Sequence, residues 1–497
     1  MINRRSFIKK SALFSAPMIL PFAGCYSSGP VSSGKDAPVV SRTRNEIPNM
    51  AFIGIGIQGR GLLNNFLNQD VHVVAVCDVD KVRCADARKR VDDYYSRNPG
   101  KGTPGNCRMY RDFREVIARD DIDMVCIATP DHWHSYITIA AIKSGKDVYC
   151  EKPLTYNIAE AKAVMKAVAD SRGGILQTGA MQRSAFEFRT AAELVRNGCI
   201  GKVTHVDCNF GGPSRPHRDY ENPNNPAEGL PNPDVDFDMW CGGAPLVKYS
   251  DRLAPRGVNN FFPMFWRMDD LFGSGYCGDW GAHHLDIAQW GLGMDDSGPV
   301  KVIKSTSEIP SDPILGGRRQ EGVQLVFADG AILRHNPFST WGTVFYGTEG
   351  IVAVNRGKFA MWHDKACTPD DTVREAIQKG TFDGARKVAF YTRKEDGGSC
   401  EGAATAARRE FLKEAKIQLY QTKGGHPADL VKCFKTREKP CSNEIVGGRA
   451  AVLCHLCNLS YVRDVSFDWN PEINTFANGT GDAKWLVRPE YRNGWKV

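Results

Sequence analysis

Residues 50–60 read MAFIGIGIQGR, and this stretch decides the fold. An apolar, strand-like run from Met50 to Ile53 passes directly into Gly54-Ile55-Gly56-Ile57-Gln58-Gly59, and a helical pattern opens there. In a dinucleotide-binding turn each glycine has its own reason. Gly54 permits the tight turn, Gly56 lets a pyrophosphate approach the backbone, and Gly59 allows the helix to pack closely on the strand. The next strand-like run, VHVVAVCDV (71–79), carries Asp78 near its end. A carboxylate there takes both ribose hydroxyls of the adenosine and repels a 2′-phosphate, so NAD is the expected cofactor and NADP the less favoured one. Gln58 and Arg60 join the expected cofactor contacts, Arg60 being the feature that speaks for NADP.

Working outward, short apolar runs alternate with helical stretches. DMVCIAT (123–129) and DVYCE (147–151) read as strands, and HSYITIAAIKSG (134–145) repeats apolar residues at helical spacing and stops at Gly. Asn157 with Glu160 three residues later forms a capping pair before AEAKAVMKAVADS (159–171). Strand–helix–strand repeats of this length predict a parallel, doubly wound α/β sheet over residues 48–174. Beyond it, KVTHVDCNF (202–210), KVIKSTSEI (301–309), EGVQLVFADGAILRH (321–335), WGTVFYG (341–347) and GIVAVNRG (350–357) predict an open, largely antiparallel sheet in a second, α+β domain, residues 175–497. Residues 364–425 are charged and read as an insertion with a helix over 404–420, at a subunit contact. Residues 212–263 are rich in Pro and Asn and carry Tyr220, Trp240, Tyr249, Phe261 and Phe262, which suit either sugar stacking or a packed lid.

The chain has 497 residues, 42% hydrophobic and 24% charged, which excludes disorder, collagen and coiled coil. Its net charge of +7 falls to +3 without Arg4, Arg5, Lys9 and Lys10, too little to argue for nucleic acid. Those four residues belong to NRRSFIKK (3–10), which looks like a twin-arginine export signal and precedes an apolar stretch too short to span a bilayer. Residues 1–25 are therefore an expected signal and the periplasm the expected location. Phe22-Ala23-Gly24-Cys25 resembles a lipoprotein cleavage box, with Cys25 as a possible lipid anchor and residues 26–47 as a flexible tether. Cys77, Cys126 and Cys150 sit in apolar runs, and Cys454 and Cys457 in an apolar helical pattern, so core packing is the expected role of these thiols.

Three further motifs lie in order along the chain. Ala128-Thr129-Pro130-Asp131-His132-Trp133-His134 is followed by Glu151-Lys152-Pro153, and then by Gly278-Asp279-Trp280-Gly281-Ala282-His283-His284-Leu285-Asp286. With the glycine turn, these resemble the glucose–fructose oxidoreductase / inositol dehydrogenase (Gfo/Idh/MocA) family. GTEG (347–350) and the closing FDWNPE…YRNGW resemble an exported bacterial subgroup. The resemblance implies that Thr129, Pro130, His134, Glu151 and Lys152 border the nicotinamide and that Lys152 reaches the substrate hydroxyl. It further implies that Asp279 and His283 are catalytic, that Arg183 and His284 meet substrate, and that the protein is a homo-oligomer, dimer or tetramer. His132 is expected to be structural.

These residue types suit oxidation of a secondary alcohol, where the O–H proton must leave as the carbonyl forms. His283 is the natural base, since an unperturbed imidazole titrates near working pH. Asp279, one helical turn earlier, orients the imidazole or binds the sugar, and Lys152 stabilises developing negative charge. No metal-ligand spacing occurs among His217, His283, His284 and His335, so no metal is expected. The expected function is exported, NAD-dependent oxidation of a sugar or glycoside ring hydroxyl, C3 by analogy, with a carried and internally recycled cofactor. The alternatives are a redox-neutral glycosidase, told apart by its free-sugar product, and a non-catalytic NAD or sugar sensor, which would be expected to have lost Lys152, Asp279 and His283.

Overall fold

The computed structural model describes residues 46–171, 173–220, 233–260, 264–305, 322–336, 341–363, 389–393, 400–488, 491–492 and 494–495. The expected signal with Cys25, most of the tether, Phe261, Phe262 and much of the expected insertion lie outside the described residues. The described residues belong to one compact unit.

The first sheet is parallel and has six strands: β1 (Asn49–Ile53), β2 (His72–Cys77), β3 (Arg108–Tyr110), β4 (Met124–Ile127), β5 (Asp147–Cys150) and β6 (Leu176–Thr178). Their order is β3-β2-β1-β4-β5-β6, so the strand order reverses between β1 and β4 and opens a crevice at their carboxyl ends. Apolar runs form these strands because both faces are covered. Met50 and Phe52 point into one core and Ala51 and Ile53 into the other, and Met124 and Cys126 oppose Val125 and Ile127 in the same way. Helices α1 (Ile57–Leu67) and α2 (Lys81–Arg97) cover one face; α3 (Phe113–Ile117), α4 (Asp131–Lys143) and α5 (Ile158–Asp170) cover the other.

Two features lie beyond the expected boundary at 174. Strand β6 pairs with β5, Val148 opposite Leu176. Further along the chain, the sequence-distant helix His426–Thr436 seats Leu430, Val431 and Phe434 in the core beneath α1. The capping pair forms as expected: the Glu160 N–H donates to Asn157 Oδ1 at 2.9 Å. The Glu160 carboxylate also accepts from Ser135 Oγ (2.7 Å) and Tyr491 Oη (3.3 Å), so the closing residues dock back on α5. Trp495 completes that contact, 4.9 Å from the Tyr136 ring and 5.0 Å from Trp133.

The second sheet has ten strands: β7 (Val203–Cys208), β8 (Lys301–Ile303), β9 (Gln324–Val326), β10 (Ile332–His335), β11 (Thr343–Gly347), β12 (Gly350–Asn355), β13 (Lys358–His363), β14 (Ala389–Arg393), β15 (Phe467–Asn470) and β16 (Thr475–Phe476). Its order is β14-β13-β12-β11-β7-β10-β9-β8-β15-β16, antiparallel except for the β7–β10 pair. After α6 (Phe186–Arg196) come the short helices α7 (Phe237–Cys241), α8 (Met264–Met268) and α9 (Gly275–Asp279), then α10 (Gly281–Leu292), α11 (Cys400–Phe411), α12 (the His426–Thr436 helix) and α13 (Glu444–Arg463). Helices α6, α10, α11 and α13 bury one core against the sheet. Cys454 and Cys457 of α13 are free thiols in that core, as are Cys77, Cys126 and Cys150 beneath the first sheet.

The described part of the expected insertion packs on its own domain. Strand β14 extends the sheet from β13, and α11 buries Ala403, Ala404 and Ala407. The helix stops at Phe411 rather than running to 420, because the following backbone finds other partners. The N–H groups of Ile417 and Leu419 donate to Asn197 Oδ1 (3.0 Å) and Glu193 Oε1 (2.9 Å) at the end of α6.

Candidate active site

The crevice between β1 and β4 continues into a cleft lined by both sheets' outgrowths. Its floor is the glycine turn. Gly54 has φ +87°, and a Cβ there would lie 2.7 Å from the backbone of Ala128 and Thr129 on the β4 end. A Cβ on Gly59 would meet the Gly54 carbonyl oxygen at 2.0 Å, so α1 is held directly against the strand. At Gly56 the nearest atom to a Cβ would be an Arg83 guanidinium nitrogen, 3.9 Å away, which leaves the helix N-terminus open to a phosphate. The Asp78 carboxylate accepts the N–H groups of Ile55 (2.6 Å) and Asp80 (2.9 Å) and still faces the cleft. Thr129 Oγ1, at the β4 end, is buried without a hydrogen-bond partner. An open cradle at Gly56, a ribose-type carboxylate and an orphaned hydroxyl fit a dinucleotide lying across this sheet.

Segment 234–260 closes the adenosine end. Val235 bridges Asp80, the Gly257 N–H donates to Asp80 Oδ2 (2.5 Å), and Arg83 Nε donates to the Gly257 carbonyl (3.0 Å). Arg60, expected at the cofactor, lines the cleft but directs Nη2 to Asn259 O (2.5 Å) and Asn260 Oδ1 (3.1 Å). Trp240, Tyr249 and Leu253 of this segment share a small core with Trp266 and Phe272, so the described part of the aromatic stretch is a packed lid, with Trp240 and Trp266 on the cleft wall.

At the other end, Glu151 and Lys152 follow β5. Glu151 is buried, accepts from Gln58 Nε2 (2.8 Å), and has its carboxyl pushed up by burial. The expected cofactor pair Gln58 and Glu151 thus joins the glycine turn to the Lys152 strand end. Lys152 Nζ donates to the Asp279 carboxylate and to its backbone carbonyl (3.0 Å). That carbonyl is available because the helix breaks at Trp280: the His283 N–H turns to Trp280 O (3.0 Å). Asp279 closes α9 and His283 lies in the first turn of α10, both facing the cleft. Burial alone would raise the Asp279 carboxyl, but Lys152 and Arg267 (3.6 Å) hold it below the usual range. The structure therefore brings Asp279 to Lys152, not to the His283 imidazole.

His283 is buried, and burial, followed by the charges of Lys152 and Arg356, pushes its pKa well below 6.5. Burial and its cationic neighbours thus move this ring away from the titration expected of an unperturbed imidazole, toward the neutral form. His134 faces the carbonyls of Pro153 (2.7 Å) and Thr129 (2.9 Å), tying the two strand ends together at the cleft wall. His132 is structural, as expected, facing Trp240 O (2.9 Å) and Phe272 O (3.3 Å).

Two expected substrate residues are not in the cleft lining. Arg183 is buried and forms paired hydrogen bonds with Asp286 (2.8–3.0 Å) and Asp295 (2.7–3.0 Å), over the Trp290 ring. With both edges of its guanidinium committed, it is a structural lock between the end of β6 and α10. His284 follows His283 on the helix and is therefore turned about 100° away. Its Nδ1 faces Asn209 O, and it packs against Gly342 beneath the second sheet.

The structure adds Asp131, Arg267, Trp280 and Arg356, none of them singled out from the sequence. Asp131 sits inside the TPDHWH motif, which could have marked it, and burial pushes its carboxyl up to about 7. Arg356 comes from a two-residue hairpin turn between β12 and β13, with Asn355 paired to Lys358. Nothing local in that turn signals a cleft residue.

Comparison with known proteins agrees with this architecture. Residues 48–180 match the model of the GFO_IDH_MocA oxidoreductase family, NAD-binding Rossmann fold, and residues 220–351 match that family's C-terminal alpha/beta domain. A glycosyl hydrolase family 109 protein 2 of Shewanella sp. (strain ANA-3) is 30% identical over 215 residues, 42% of this chain and 46% of that protein. An inositol 2-dehydrogenase of Rhodococcus jostii (strain RHA1) is 33% identical over 129 residues, 25% of this chain and 35% of that protein. The chain thus matches less than half the length of these relatives. The fold is that of a levoglucosan dehydrogenase solved with NADH and levoglucosan: TM-score 0.52, 18% identity, covering 85% of this chain and 99% of that one.

Proposed function

The chain belongs to the Gfo/Idh/MocA oxidoreductase family, and from that premise we propose that it is an NAD-dependent oxidoreductase acting on a ring secondary hydroxyl of a sugar or glycoside. The observation that carries the reading is the meeting of Lys152, Asp279 and His283 at the end of the cleft that begins at the glycine turn. When bound, the nicotinamide supplies the acceptor for the substrate's C–H hydride. Lys152, oriented by Asp279, donates a hydrogen bond to the substrate oxygen and stabilises its negative charge. His283 Nε2 takes the hydroxyl proton as the carbonyl forms. Trp280 and Trp266 wall the site, and the packed lid over residues 234–260 borders its adenosine end.

Asp78 at the ribose position, with Arg60 and Arg83 committed to carbonyls of the lid, favours NAD over NADP. The lid's hydrogen bonds across the adenosine end support a tightly held cofactor. That suits the location we assign from residues 3–10: export of the folded, loaded protein by the twin-arginine route to the periplasm, with Cys25 as lipid anchor. The cofactor would then be recycled in place, by reduction of a second keto sugar or by handing electrons to a partner. C3 is the carbon we assign, by analogy with the family, and a homo-oligomer the assembly.

A second reading, a redox-neutral glycosidase, is favoured by the match to glycosyl hydrolase family 109 relatives. Both are tested on mature protein by releasing and identifying bound nucleotide, then following absorbance at 340 nm as simple glucosides are added. About one equivalent of NAD and a stoichiometric rise that stalls until a keto sugar is supplied are expected. Bound NAD with free sugar and no absorbance change would replace this reading with the glycosidase. Absence of nucleotide would overturn both and leave the sensor.

A further inference from the structure

A cation is seated on the imidazole that must act as base. Arg356 stands on the exposed β12–β13 hairpin turn and lays its guanidinium over the Trp280 ring, 4.8 Å from the centroid. Its Nη2 lies 3.0 Å from His283 Nε2. A guanidinium has donors and no acceptor, so Nε2 must be the accepting nitrogen and the ring hydrogen sits on Nδ1. That Nδ1 is buried and has no partner. In this arrangement the Nε2 lone pair is engaged and Nδ1 already carries a hydrogen, so the ring is a poor acceptor for a substrate proton until Arg356 moves.

Arg356 also stands apart from the other cations of the site. Lys152 and Arg267 share the Asp279 carboxylate, whereas among the described residues no carboxylate lies within 4.0 Å of the Arg356 guanidinium. Lys152, Arg267 and Arg356 are set against Asp279, Asp131 and Glu151 in the cleft lining, and of these carboxylates Asp279 is already shared by two of the cations. A hydrogen bond to a neutral imidazole is a weaker partner for a guanidinium than a two-point pair with a carboxylate.

We propose that Arg356 is a gate keyed to an anionic sugar, in which a carboxylate on the substrate ring, as in a uronic acid or its glycoside, draws the guanidinium off His283. The released Nε2 then accepts the hydroxyl proton, while Nδ1 keeps its own. Arg356 thereby both selects the substrate and permits the base to act. This inference rests on the reading of the cleft as a sugar oxidoreductase site.

The test uses the full, nucleotide-loaded protein and two matched probes, methyl glucoside and methyl glucuronide, which differ in the C6 carboxylate. Binding is measured by calorimetry and turnover by absorbance at 340 nm. The glucuronide is expected to bind at least about tenfold tighter, the share of one charge-assisted pair. Arg356→Gln is expected to bring the two affinities within about twofold, and Arg356→Lys to fall between, since it keeps the charge and loses the fork. The turn is exposed, and an unchanged melting temperature checks that the variants are folded. Equal affinities in the wild type, or a preference that survives in Arg356→Gln, would overturn the gate. An Arg356-dependent preference with no absorbance change for either probe would keep the anion site and overturn the oxidoreductase reading. Turnover of the neutral glucoside as fast as the glucuronide would do the reverse.

Discussion

Two alanine substitutions in the glycine turn separate folding from cofactor binding. At Gly59 an added methyl would sit 2.0 Å from the Gly54 carbonyl oxygen, a backbone atom held between β1 and β4, so α1 must shift by about 1 Å to restore contact distance. Overpacking of this kind costs about 1–3 kcal/mol or more. At about 2–4 °C per kcal/mol for a domain of 150–250 residues, the melting temperature of Gly59→Ala should fall by several degrees. Gly56 has φ −69° and ψ −163°, which alanine adopts freely, and its methyl would meet nothing closer than 3.9 Å. Gly56→Ala should therefore melt at or slightly above nucleotide-free wild type, by up to about 1 kcal/mol from the stiffer unfolded chain. Its methyl nevertheless occupies the space a pyrophosphate needs at the α1 N-terminus, and a loss of about 3 kcal/mol, roughly a hundredfold in affinity, is expected. The assay is thermal melting of nucleotide-stripped protein with and without NAD, backed by calorimetry. If Gly56→Ala kept the wild-type thermal shift with NAD, the placement of the cofactor on this turn would be refuted. A Gly59→Ala protein melting like wild type would refute the close-packing argument.

Lys152→Ala and His283→Ala should retain bound nucleotide and lose turnover by orders of magnitude; wild-type rates in either would sink the mechanism. Asp286→Ala removes one of the two carboxylates that pair with the buried Arg183, and should cost about 3–5 kcal/mol in chemical denaturation; a loss confined to substrate affinity would instead put Arg183 at the sugar. Asp131 has its pKa raised by burial from 3.8 to about 7, so its stability contribution is present below about pH 4 and is lost as pH rises through 7. Relative to Asp131→Asn, the wild type should therefore weaken by about 3–4 kcal/mol between pH 4 and pH 8, read from paired melting curves, and a pH-independent gap would contradict it.

The parallel sheet was legible because its central strands are buried on both faces and so read as unbroken apolar runs: β1, β2, β4 and β5 were all expected. Strand β3 was not, since three residues carry no periodicity and Arg108-Met109-Tyr110 lies at the sheet edge. The motif residues Lys152, Asp279 and His283 were expected together and line one cleft, because each sits at the end of a strand or helix whose position follows from the fold. Arg183 and His284 were read toward substrate from the family resemblance. Side-chain direction decided otherwise, one turning into a buried carboxylate pair and the other about 100° round its helix.

By itself the sequence determined the alternation that makes the doubly wound sheet and the glycine turn, since both depend on local spacing and on residue chemistry, while the residues of the reacting end were marked by motifs that resemble the family's. Only the tertiary structure decided what those residues do to one another. The break at Trp280 frees a carbonyl for Lys152, the lid over 234–260 takes up Arg60 and Arg83, and a hairpin turn some 70 residues from His283 lays Arg356 on its imidazole. Those contacts join chain segments far apart in sequence, and their energies come from burial and charge that exist only once the two sheets have closed on the cleft.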